Sequence, residues 1–453
     1  SLGINLFSQD GSGLISGDRV NLMARTDLTN LGGTLQAKDS LVAIAGRDLT
    51  SSSTLRGTDA NPDAGPGGGN CVPNRHSPVG VQASNNLNLT ATDISNAGKN
   101  SQTTLIAGND INLNTLTTTH SENGSWGKGN DRSVTQSTDV GTQINSAGAI
   151  ALQAGHDLNA RAATVNAADA LTATAGHDIN LTSGNDSYHV TENSRQSSKG
   201  IVSGQTITTH DEVQSQSAIG SNFGGDKVTM QAGHDLLVQG SSVAGTHDVT
   251  LAAGNNLTVT TADETRQENH QYQEKNTGFS GTGGIGFSYG QQSLKTTDDG
   301  VTHYSAGSTV GSVNGNTTLS AGNNLTVKGS DVLAAKDINL SGSEVNILAA
   351  DNQSSQTHTV EQKQSGLTLA LSGTVGSAIN TAVSGANDAS KQSSDRLAAL
   401  DGMKAALSGV QAYQGKSLAE ADGSEGSMIG VNLSYGSQSS KSTQTQTSNQ
   451  SQG

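Results

Sequence analysis

Residues 150–158 read Ile-Ala-Leu-Gln-Ala-Gly-His-Asp-Leu, and residues 171–179 read Leu-Thr-Ala-Thr-Ala-Gly-His-Asp-Ile. The two stretches share a pentapeptide, Ala-Gly-x-Asp/Asn-Leu/Ile, and their glycines, Gly155 and Gly176, are 21 residues apart. Apolar and polar residues alternate on both sides of the glycine, which is the periodicity of a β-strand. Each unit therefore predicts a strand, a tight corner and a second strand.

The pentapeptide is repeated along the whole chain. Copies with the glycine are centred on Gly46, Gly108, Gly155, Gly176, Gly233, Gly254 and Gly322, and copies without it occupy residues 24–28, 83–87 and 334–338. The 21-residue period is too short for a domain but suits one coil of a parallel β-helix, whose coils stack about 4.8 Å apart. The copies predict about ten coils. We expect the glycine to supply a positive φ, and the Asp or Asn to hold the corner through its side-chain oxygen.

The composition fits a thin, repeated core. Of 453 residues, 57 are glycine, 32% are hydrophobic and 2% are aromatic, so large side chains cannot fill a thick interior. The single cysteine, Cys71, excludes an internal disulfide framework. The net charge is −15 and the 24 Lys and Arg residues are scattered in sequence. We therefore expect no nucleic-acid binding and repulsion from anionic membranes.

Polar segments rich in Ser, Thr, Gln and Asn interrupt the repeats. We predict an all-β fold, with a β-helix over residues 1–352 and a long excursion over residues 353–453. Similar Ser-Tyr-Gly stretches at 288–290 and 434–436 predict that the excursions are long β-hairpins. Helical spacing of apolar residues predicts a short helical insertion near 375–413, which packs on itself or contacts a membrane. The excursions within the β-helix are expected at about 57–80, 114–145, 182–227 and 261–312.

Aromatic residues are concentrated in the excursions. Ten of the eleven lie there, and only Phe7 lies on the repeats. Two interpretations stay open: these side chains contact a partner, or they pin the excursions onto the solenoid. The ten are Trp126, Tyr188, Phe223, Tyr272, Phe279, Phe287, Tyr289, Tyr304, Tyr413 and Tyr435.

Two motifs are typical of enzymes, and each has a structural interpretation. Residues 286–290, Gly-Phe-Ser-Tyr-Gly, match the nucleophile elbow G-x-S-x-G, which needs a strand-to-helix turn. Residues 281–286 match G-x-G-x-x-G, which needs a strand before it and a helix after it. The expected hairpin offers neither context, and Cys71 is expected in a proline-rich loop with no nucleophilic partner. We therefore predict no catalytic residue, no cofactor and no enzymatic activity.

His156, His177 and His234 occupy one position of the repeat, so the first two should lie on adjacent coils. Stacked imidazoles beside the following aspartates could share a metal ion. The same position holds Arg47 in one copy and Asn in others, which favours a solvated ladder. We predict no metal site.

With these features the chain resembles the haemagglutinin-repeat region of filamentous haemagglutinins and of contact-dependent growth inhibition toxin exoproteins. The serial Ala-Gly-His/Asn-Asp/Asn-Leu/Ile units carry the resemblance, together with the Ser-Tyr-Gly and Ser/Thr/Gln tracts. The resemblance implies a right-handed β-helix, secreted to or displayed on the surface of a Gram-negative bacterium. It also implies export by an outer-membrane transporter of two-partner secretion. No signal peptide, secretion domain or toxin domain is recognisable, so we interpret the chain as an internal segment.

Two functions from different classes are consistent with this resemblance. The first is a toxin-delivery module that engages or enters the target envelope, and the second is an adhesin segment that binds host or bacterial surfaces. A passive spacer is a third interpretation. The expected partner is a target-cell envelope or surface receptor, and no small-molecule substrate is expected.

Overall fold

The structure is a computed structural model that describes residues 4–7, 14–52, 70–73, 79–201, 203–281, 286–372 and 430–452. These residues form strands, turns and bends and include no helix, so none of them belongs to a helix that could cross a membrane. The predicted all-β solenoid with long hairpins is confirmed in the described ranges. The helical insertion predicted near 375–413 lies outside them.

Each coil contributes up to three strands, which stack in parallel on three faces. The strand before the pentapeptide corner is β2 (Leu14–Ala24), β4 (Thr34–Ala45), β7 (Val79–Ala83), β10 (Gln102–Ala107), β15 (Ala149–Ala154), β18 (Leu171–Ala175), β23 (Val228–Ala232), β26 (Val249–Ala253) or β31 (Thr317–Ala321), and β34 (Ile338–Ser341) pairs with β31 at the same position of the tenth coil. The copy predicted at 334–338 therefore lies one corner earlier, because its last residue begins β34. The strand after the corner is β1 (Ile4–Phe7), β3 (Leu28–Leu31), β5 (Leu49–Ser52), β8 (Leu87–Thr90), β11 (Ile111–Asn114), β16 (Leu158–Arg161), β19 (Ile179–Thr182), β24 (Leu236–Gln239), β27 (Leu257–Thr260), β32 (Asn324–Lys328) or β35 (Glu344–Leu348). The third strand is β6 (Asn70–Pro73), β9 (Asp93–Asn96), β14 (Gln143–Ser146), β17 (Thr164–Ala167), β22 (Asn222–Gly225), β25 (Ser242–Gly245), β30 (Thr309–Ser312) or β33 (Asp331–Ala334).

The solenoid core is built from aligned columns of apolar side chains. Parallel register places Leu152 between Leu105 of the preceding coil and Ala173 of the following one. All three are fully buried. The inward apolar residues of the predicted alternation therefore pack against one another from coil to coil. In the first two coils, β2 and β4 each continue without a break from the face of the third strands to the face of the strands before the corner. This continuity joins the two faces into one sheet.

The corner glycine is needed for space and not for its φ. None of the seven pentapeptide glycines is among the described residues with positive φ, so the reason predicted for them was wrong. A Cβ on Gly176 would lie 2.1 Å from the carbonyl oxygen of Gly155 in the preceding coil. Successive corners therefore stack backbone on backbone, and the Gly176 N–H donates to the Ala154 carbonyl at 3.1 Å.

The Asp or Asn of the pentapeptide bonds to the neighbouring coil and not to its own corner, so this prediction also needs correction. Asp157 Oδ1 accepts a hydrogen bond from the Asp178 N–H at 3.0 Å, and Asp178 Oδ1 accepts one from the Asp235 N–H at 2.9 Å. A side-chain oxygen is all that this bond requires, which is why Asp and Asn exchange. The acceptors of this corner ladder are Asp27, Asp48, Asn86, Asp110, Asp157, Asp178, Asp235 and Asn256.

The next corner of each coil, which comes after the strand that follows the pentapeptide, alternates between two forms. In the odd-numbered coils it is a tight turn whose first residue has a left-handed φ and is Gly or Ala. In the fourth, sixth, eighth and tenth coils the chain leaves the solenoid at this corner and forms a hairpin strand. The left-handed residues are Gly32 (66°), Ala91 (44°), Ala162 (46°), Gly240 (52°) and Gly329 (50°).

The hairpin strands pair with one another and form an eight-stranded antiparallel sheet in chain order. Three seams between consecutive pairs, β13–β20, β21–β28 and β29–β36, make the sheet continuous. The excursions therefore pack side by side along the solenoid. The strands are β12 (Leu116–Gly127), β13 (Asn130–Val140), β20 (Gly184–Lys199), β21 (Gly204–Ile219), β28 (Ala262–Gly281), β29 (Gly286–Ala306), β36 (Ala350–Ser372) and β37 (Gly430–Gln452).

The hairpin sheet is continuous because its period matches that of the coils. Two coils advance the solenoid by about 9.6 Å, and the two strands of a hairpin widen a sheet by about the same distance. Small residues allow the close approach at each junction. A Cβ on Gly240, in the corner of one coil, would lie 2.4 Å from the Cβ of Ala262, where the next hairpin begins.

The hairpins are shorter than the excursions that the sequence predicts. In the segment predicted at 182–227, the hairpin ends at Ile219, and residues 222–225 return to the solenoid as β22. This third strand carries no pentapeptide, so the repeat pattern does not mark it. The same correction applies to the segments predicted at 114–145 and 261–312, which include β14 and β30.

Two residues assigned to irregular segments belong to the solenoid. Phe223, expected in an excursion, is in β22 and is 1% exposed in the core. Cys71, expected in a loop, is in β6, where its backbone pairs with Leu35 and Ile94. Of the excursion predicted at 57–80, residues 57–69 and 74–78 lie outside the described ranges.

Candidate functional site: the histidine column and the hairpin sheet

Three imidazoles stack along the corner ladder. The ring centroids of His156 and His177 are 4.8 Å apart, and those of His177 and His234 are 4.7 Å apart, with interplanar angles of 6° and 3°. The residue after the corner glycine points outward, so about half of each imidazole is exposed. The predicted neighbours His156 and His177 are together, and His234 extends the column across the second hairpin insertion.

Each imidazole of this column lies against two carboxylates. His177 Nδ1 is 3.3 Å from Asp157 Oδ1 and 3.1 Å from Asp178 Oδ1. His234 Nδ1 is 3.3 Å from Asp178 Oδ1. Rings and carboxylates therefore alternate along the axis of the solenoid, on oxygens that also accept backbone N–H groups of the next coil.

The column places possible metal ligands close together. The groups His156–Asp157–His177 and His177–Asp178–His234 each hold their ligand atoms within 4.8 Å of one another. Two nitrogens bound to one zinc ion at about 2.1 Å are at most about 4.2 Å apart, whereas parallel stacked rings repeat their nitrogens at the coil spacing. The geometry favours ring–carboxylate contacts, and the lack of a metal site stays a prediction.

The two enzyme-like motifs lie in hairpin strands. Ser288 is inside β29 and pairs with Ser280 on one side and Thr368 on the other. A nucleophile elbow needs a strand-to-helix turn, so this serine does not have that context. Gly281 ends β28 and Gly286 begins β29, so the glycine motif connects two antiparallel strands and not a strand to a helix.

A row of acidic, basic and imidazole side chains crosses one face of the hairpin sheet. His270 Nδ1 lies 2.8 Å from Asp211 Oδ1 across the β21–β28 seam. His358 contacts Asp298 across the β29–β36 seam. Polar side-chain pairs in register stabilise antiparallel strands, and the row, which we call the charge row, supplies one such pair at each of the three seams. Within the second hairpin, however, the row places two acidic residues, Glu192 and Asp211, opposite each other. Its members, one on each of six successive strands, are Arg132, Glu192, Asp211, His270, Asp298 and His358.

Asp139 joins the first hairpin to the solenoid and to the second hairpin. Its oxygens accept hydrogen bonds from the Thr117 hydroxyl at 2.7 Å, from Arg161 Nη2 at 2.8 Å and from the Asn185 N–H at 2.9 Å. Burial acts to raise the pKa of this carboxyl, but the bonds from Thr117, Asn185 and Arg161, with the charge of Arg161, outweigh it and hold the pKa below its usual value. Asp139 is therefore a charged anchor between three elements.

The aromatic side chains of the excursions divide between exposed and packed positions. Trp126, Tyr289 and Tyr304 are 60%, 53% and 46% exposed. Tyr272 is half-buried and donates to Glu274 Oε2 at 3.1 Å; burial and Glu274 raise its pKa. Both interpretations therefore stay predictions. The side chains of Phe7, Phe279, Phe287, Tyr413 and Tyr435 lie outside the described part of the chain.

Sequence reasoning missed the charge row and Asp139. Their members are ordinary surface residue types, far apart in sequence, and only strand register brings them together. One signal was available in the glycine spacings. From Gly108 to Gly322 they run 47, 21, 57, 21 and 68 residues, which marks a hairpin after every second coil.

Comparison with known proteins finds one repeat family and several relatives with toxin or nuclease names. The Hemagglutinin repeat family matches residues 74–201, 202–306 and 287–411. The 16S rRNA endonuclease CdiA of Enterobacter cloacae is 41% identical over 321 residues, which cover 69% of this chain and 10% of that protein. The deoxyribonuclease CdiA of Yersinia pseudotuberculosis is 51% identical over 207 residues, 46% of this chain and 19% of that protein. The chain thus spans a small fraction of these relatives, and no solved structure matches it.

Proposed function

The chain belongs to the Hemagglutinin repeat family, and we propose that it is a non-enzymatic structural segment of a contact-dependent growth inhibition exoprotein. In this proposal the segment helps to present or deliver a carboxy-terminal toxin to neighbouring bacteria. The exoprotein is secreted to the surface of a Gram-negative cell through a two-partner-secretion transporter. The nuclease activities in the relatives' names belong to those proteins, of which this chain spans a small part.

The observation that carries this proposal is the family match together with the two-layer architecture. The relatives that share this segment carry toxin or nuclease names, which favours toxin delivery over adhesion. The architecture adds a solenoid, with ten stacked coils in the described residues, and a sheet of hairpins alongside. A stack of coils in which each coil contacts only its neighbours is a rod, and the hairpin sheet gives that rod a broad polar surface.

An adhesin segment is the second candidate, and the exposed aromatic residues favour it. Trp126 and Tyr304 are on hairpin strands and keep about half or more of their surface in solvent. Exposed aromatic side chains are enriched at binding hot spots. The partner of either function is a target envelope or surface receptor.

The proposal is tested in the full-length exoprotein by deleting residues 1–453 in frame. The variant must first reach the cell surface, which an antibody against another region of the exoprotein measures. Adhesion to target cells and inhibition of their growth are then scored in one co-culture. Delivery predicts that adhesion is kept and inhibition is lost. Loss of adhesion identifies the adhesin function, and survival of both activities identifies a spacer.

A smaller deletion separates the hairpin sheet from the length of the rod. Removing residues 116–140 joins Thr115 to Gly141 and deletes the edge hairpin while it keeps every coil. The deleted hairpin pairs with the rest of the sheet at the β13–β20 seam, so the remaining six strands stay paired with one another. If inhibition falls in this variant while surface display is unchanged, the hairpins contribute and rod length alone does not explain the function.

A further inference from the structure

All five lysines of the hairpin strands lie on one face of the sheet. Register pairs Lys275 with Ser293, and Ser293 with Lys363. It likewise places Glu361 between Lys295 and Lys441. Residues in direct cross-strand register share a face, and side chains two residues apart on a strand also share it. Lys199, which faces Gly204 and through it Thr277, joins the same group.

We call Lys199, Lys275, Lys295, Lys363 and Lys441 the basic face. In this part of the sheet Glu361 is their only acidic neighbour, so five positive charges face one negative charge. The same strands carry Glu274 and no lysine on the opposite face. Charges that are scattered along the sequence of a chain with net charge −15 are thus gathered by strand register into one positive patch.

Glu361 neutralises only a small part of this patch. Its Oε1 lies 3.0 Å from Lys441 Nζ. That hydrogen bond, with the charges of Lys441, Lys363 and Lys295, holds the pKa of the Glu361 carboxyl below its usual value. In the part of the chain that the structure describes, no carboxylate lies within ion-pair distance of the other four lysines. Their charge is available for an external anion.

The basic face is concave. An open groove of about 1210 Å³ runs over it, lined by Lys199, Lys275, Lys295 and Lys363, with Tyr289 also in its wall. Tyr289 is 53% exposed, so its ring offers a flat surface for the uncharged part of a ligand. Small-ligand sites are usually concave, and in this groove the lysines supply the charge that an anionic ligand needs.

We propose that this groove binds a ligand that carries several phosphate groups. Lysine ammonium groups act as mobile point charges and are common phosphate binders. Lys275 and Lys363 are two strands apart, about 9.6 Å at the backbone, as are Lys295 and Lys441. One phosphate cannot neutralise all of them, whereas clustered phosphates on a compact scaffold can. This inference does not depend on the proposed function, because binding is measured on the purified chain.

The test uses the intact 453-residue chain and inositol hexakisphosphate as the soluble probe, with calorimetry at low salt. Wild-type protein is expected to bind it, and affinity should fall as salt rises. The double variant Lys275→Gln and Lys363→Gln should bind about tenfold more weakly, since each exposed ion pair contributes up to about fivefold. The matched control, Arg132→Gln with Arg266→Gln, removes two cations on the other face, where each arginine already contacts a glutamate.

A second arm identifies the source of the phosphate. Vesicles of phosphatidylcholine with and without phosphatidylglycerol are sedimented with the same three proteins. Lysine-dependent binding to the soluble probe alone assigns a soluble ligand, and lysine-dependent binding to anionic vesicles assigns a lipid surface. No binding to either probe overturns the proposal. Equal weakening by the arginine control also overturns it, because net charge would then explain the result. Unchanged circular dichroism of both variants confirms that folding is intact.

Discussion

His270 on β28 and Asp211 on β21 are joined across the seam between the second and third hairpins, with Nδ1 and Oδ1 2.8 Å apart. The two residues also face each other in strand register. The described hairpin strands hold few large apolar side chains. Backbone hydrogen bonds and side-chain pairs of this kind therefore specify which strands lie next to each other in the sheet.

His270→Ala should loosen this seam and leave the solenoid unchanged. The pair is about half exposed, so the loss is expected to stay below about 1 kcal/mol. Hydrogen exchange measured by mass spectrometry should rise in β21 and β28. His358→Ala is the control, since it should raise exchange in β29 and β36 instead. A uniform rise over both seams in either variant would contradict the assignment.

Gly176→Ala should destabilise the solenoid strongly. The new methyl group would lie 2.1 Å from the Gly155 carbonyl oxygen, and relieving such overpacking costs about 2 kcal/mol. Urea unfolding measures the change. Gly80→Ala is the matched control, because a Cβ there meets no atom within 4 Å, and its effect should stay within about 0.5 kcal/mol. Equal loss in both variants would refute the stacking argument.

Two substitutions in the corner ladder should show whether Asp178 stabilises the solenoid as a hydrogen-bond acceptor or through its charge. Asp178→Asn keeps the oxygen that accepts the Asp235 N–H and should change stability by less than about 0.5 kcal/mol. Asp178→Ala removes that oxygen and should cost about 1 kcal/mol. Thermal unfolding of the two variants side by side tests this. If Asn is as damaging as Ala, the carboxylate charge beside His177 and His234 is what matters.

Asp139 should make hairpin attachment sensitive to strong acid. Its folded-state pKa is lowered, so its contribution is complete above the ordinary Asp value of about 3.9. That contribution is lost as pH falls through the lower folded-state value. Asp139→Asn should cost about 2 kcal/mol near neutral pH, because the hydrogen bonds from Arg161, Thr117 and the Asn185 N–H lose their charged acceptor. The difference from wild type should shrink only at strongly acidic pH, and a difference that disappears near neutrality would contradict the assignment.

Phe223→Ala tests the corrected position of this residue. A fully buried phenylalanine in the coil stack should cost about 3 kcal/mol when truncated. Trp126→Ala, on an exposed hairpin strand, should change stability by less than about 0.5 kcal/mol. Denaturant unfolding of both proteins settles the comparison. A small effect of Phe223→Ala would contradict the buried position and support the excursion that the sequence predicted for this residue.

The coil and its corner were predictable because they repeat. Seven near-identical pentapeptides reveal the same strand, corner and strand, and the apolar residues around Leu152 take the buried positions expected of them. The reasons for the corner residues were not predictable. The contacts of Gly176 and Asp157 are with the neighbouring coils, and a single repeat does not contain its neighbours.

The surface of the hairpins was harder to foresee, because it depends on register between strands far apart in sequence. Lys275 and Lys363 are 88 residues apart, yet they share one row through Ser293. A shift of one residue in the β28–β29 hairpin or in the β29–β36 seam would move one of them to the opposite face. Composition alone predicts an acidic chain and does not reveal the positive groove.

The alternation of tight corners with hairpins imposes a parity rule on the length of the molecule. Adding a single coil would move the next hairpin by one strand width and leave a gap that no backbone group could bridge. Adding two coils without a hairpin would open a gap of two strands. Lineages that lengthen or shorten this region by recombination should therefore exchange whole cassettes of two coils and one hairpin, and related chains should differ in length by such cassettes.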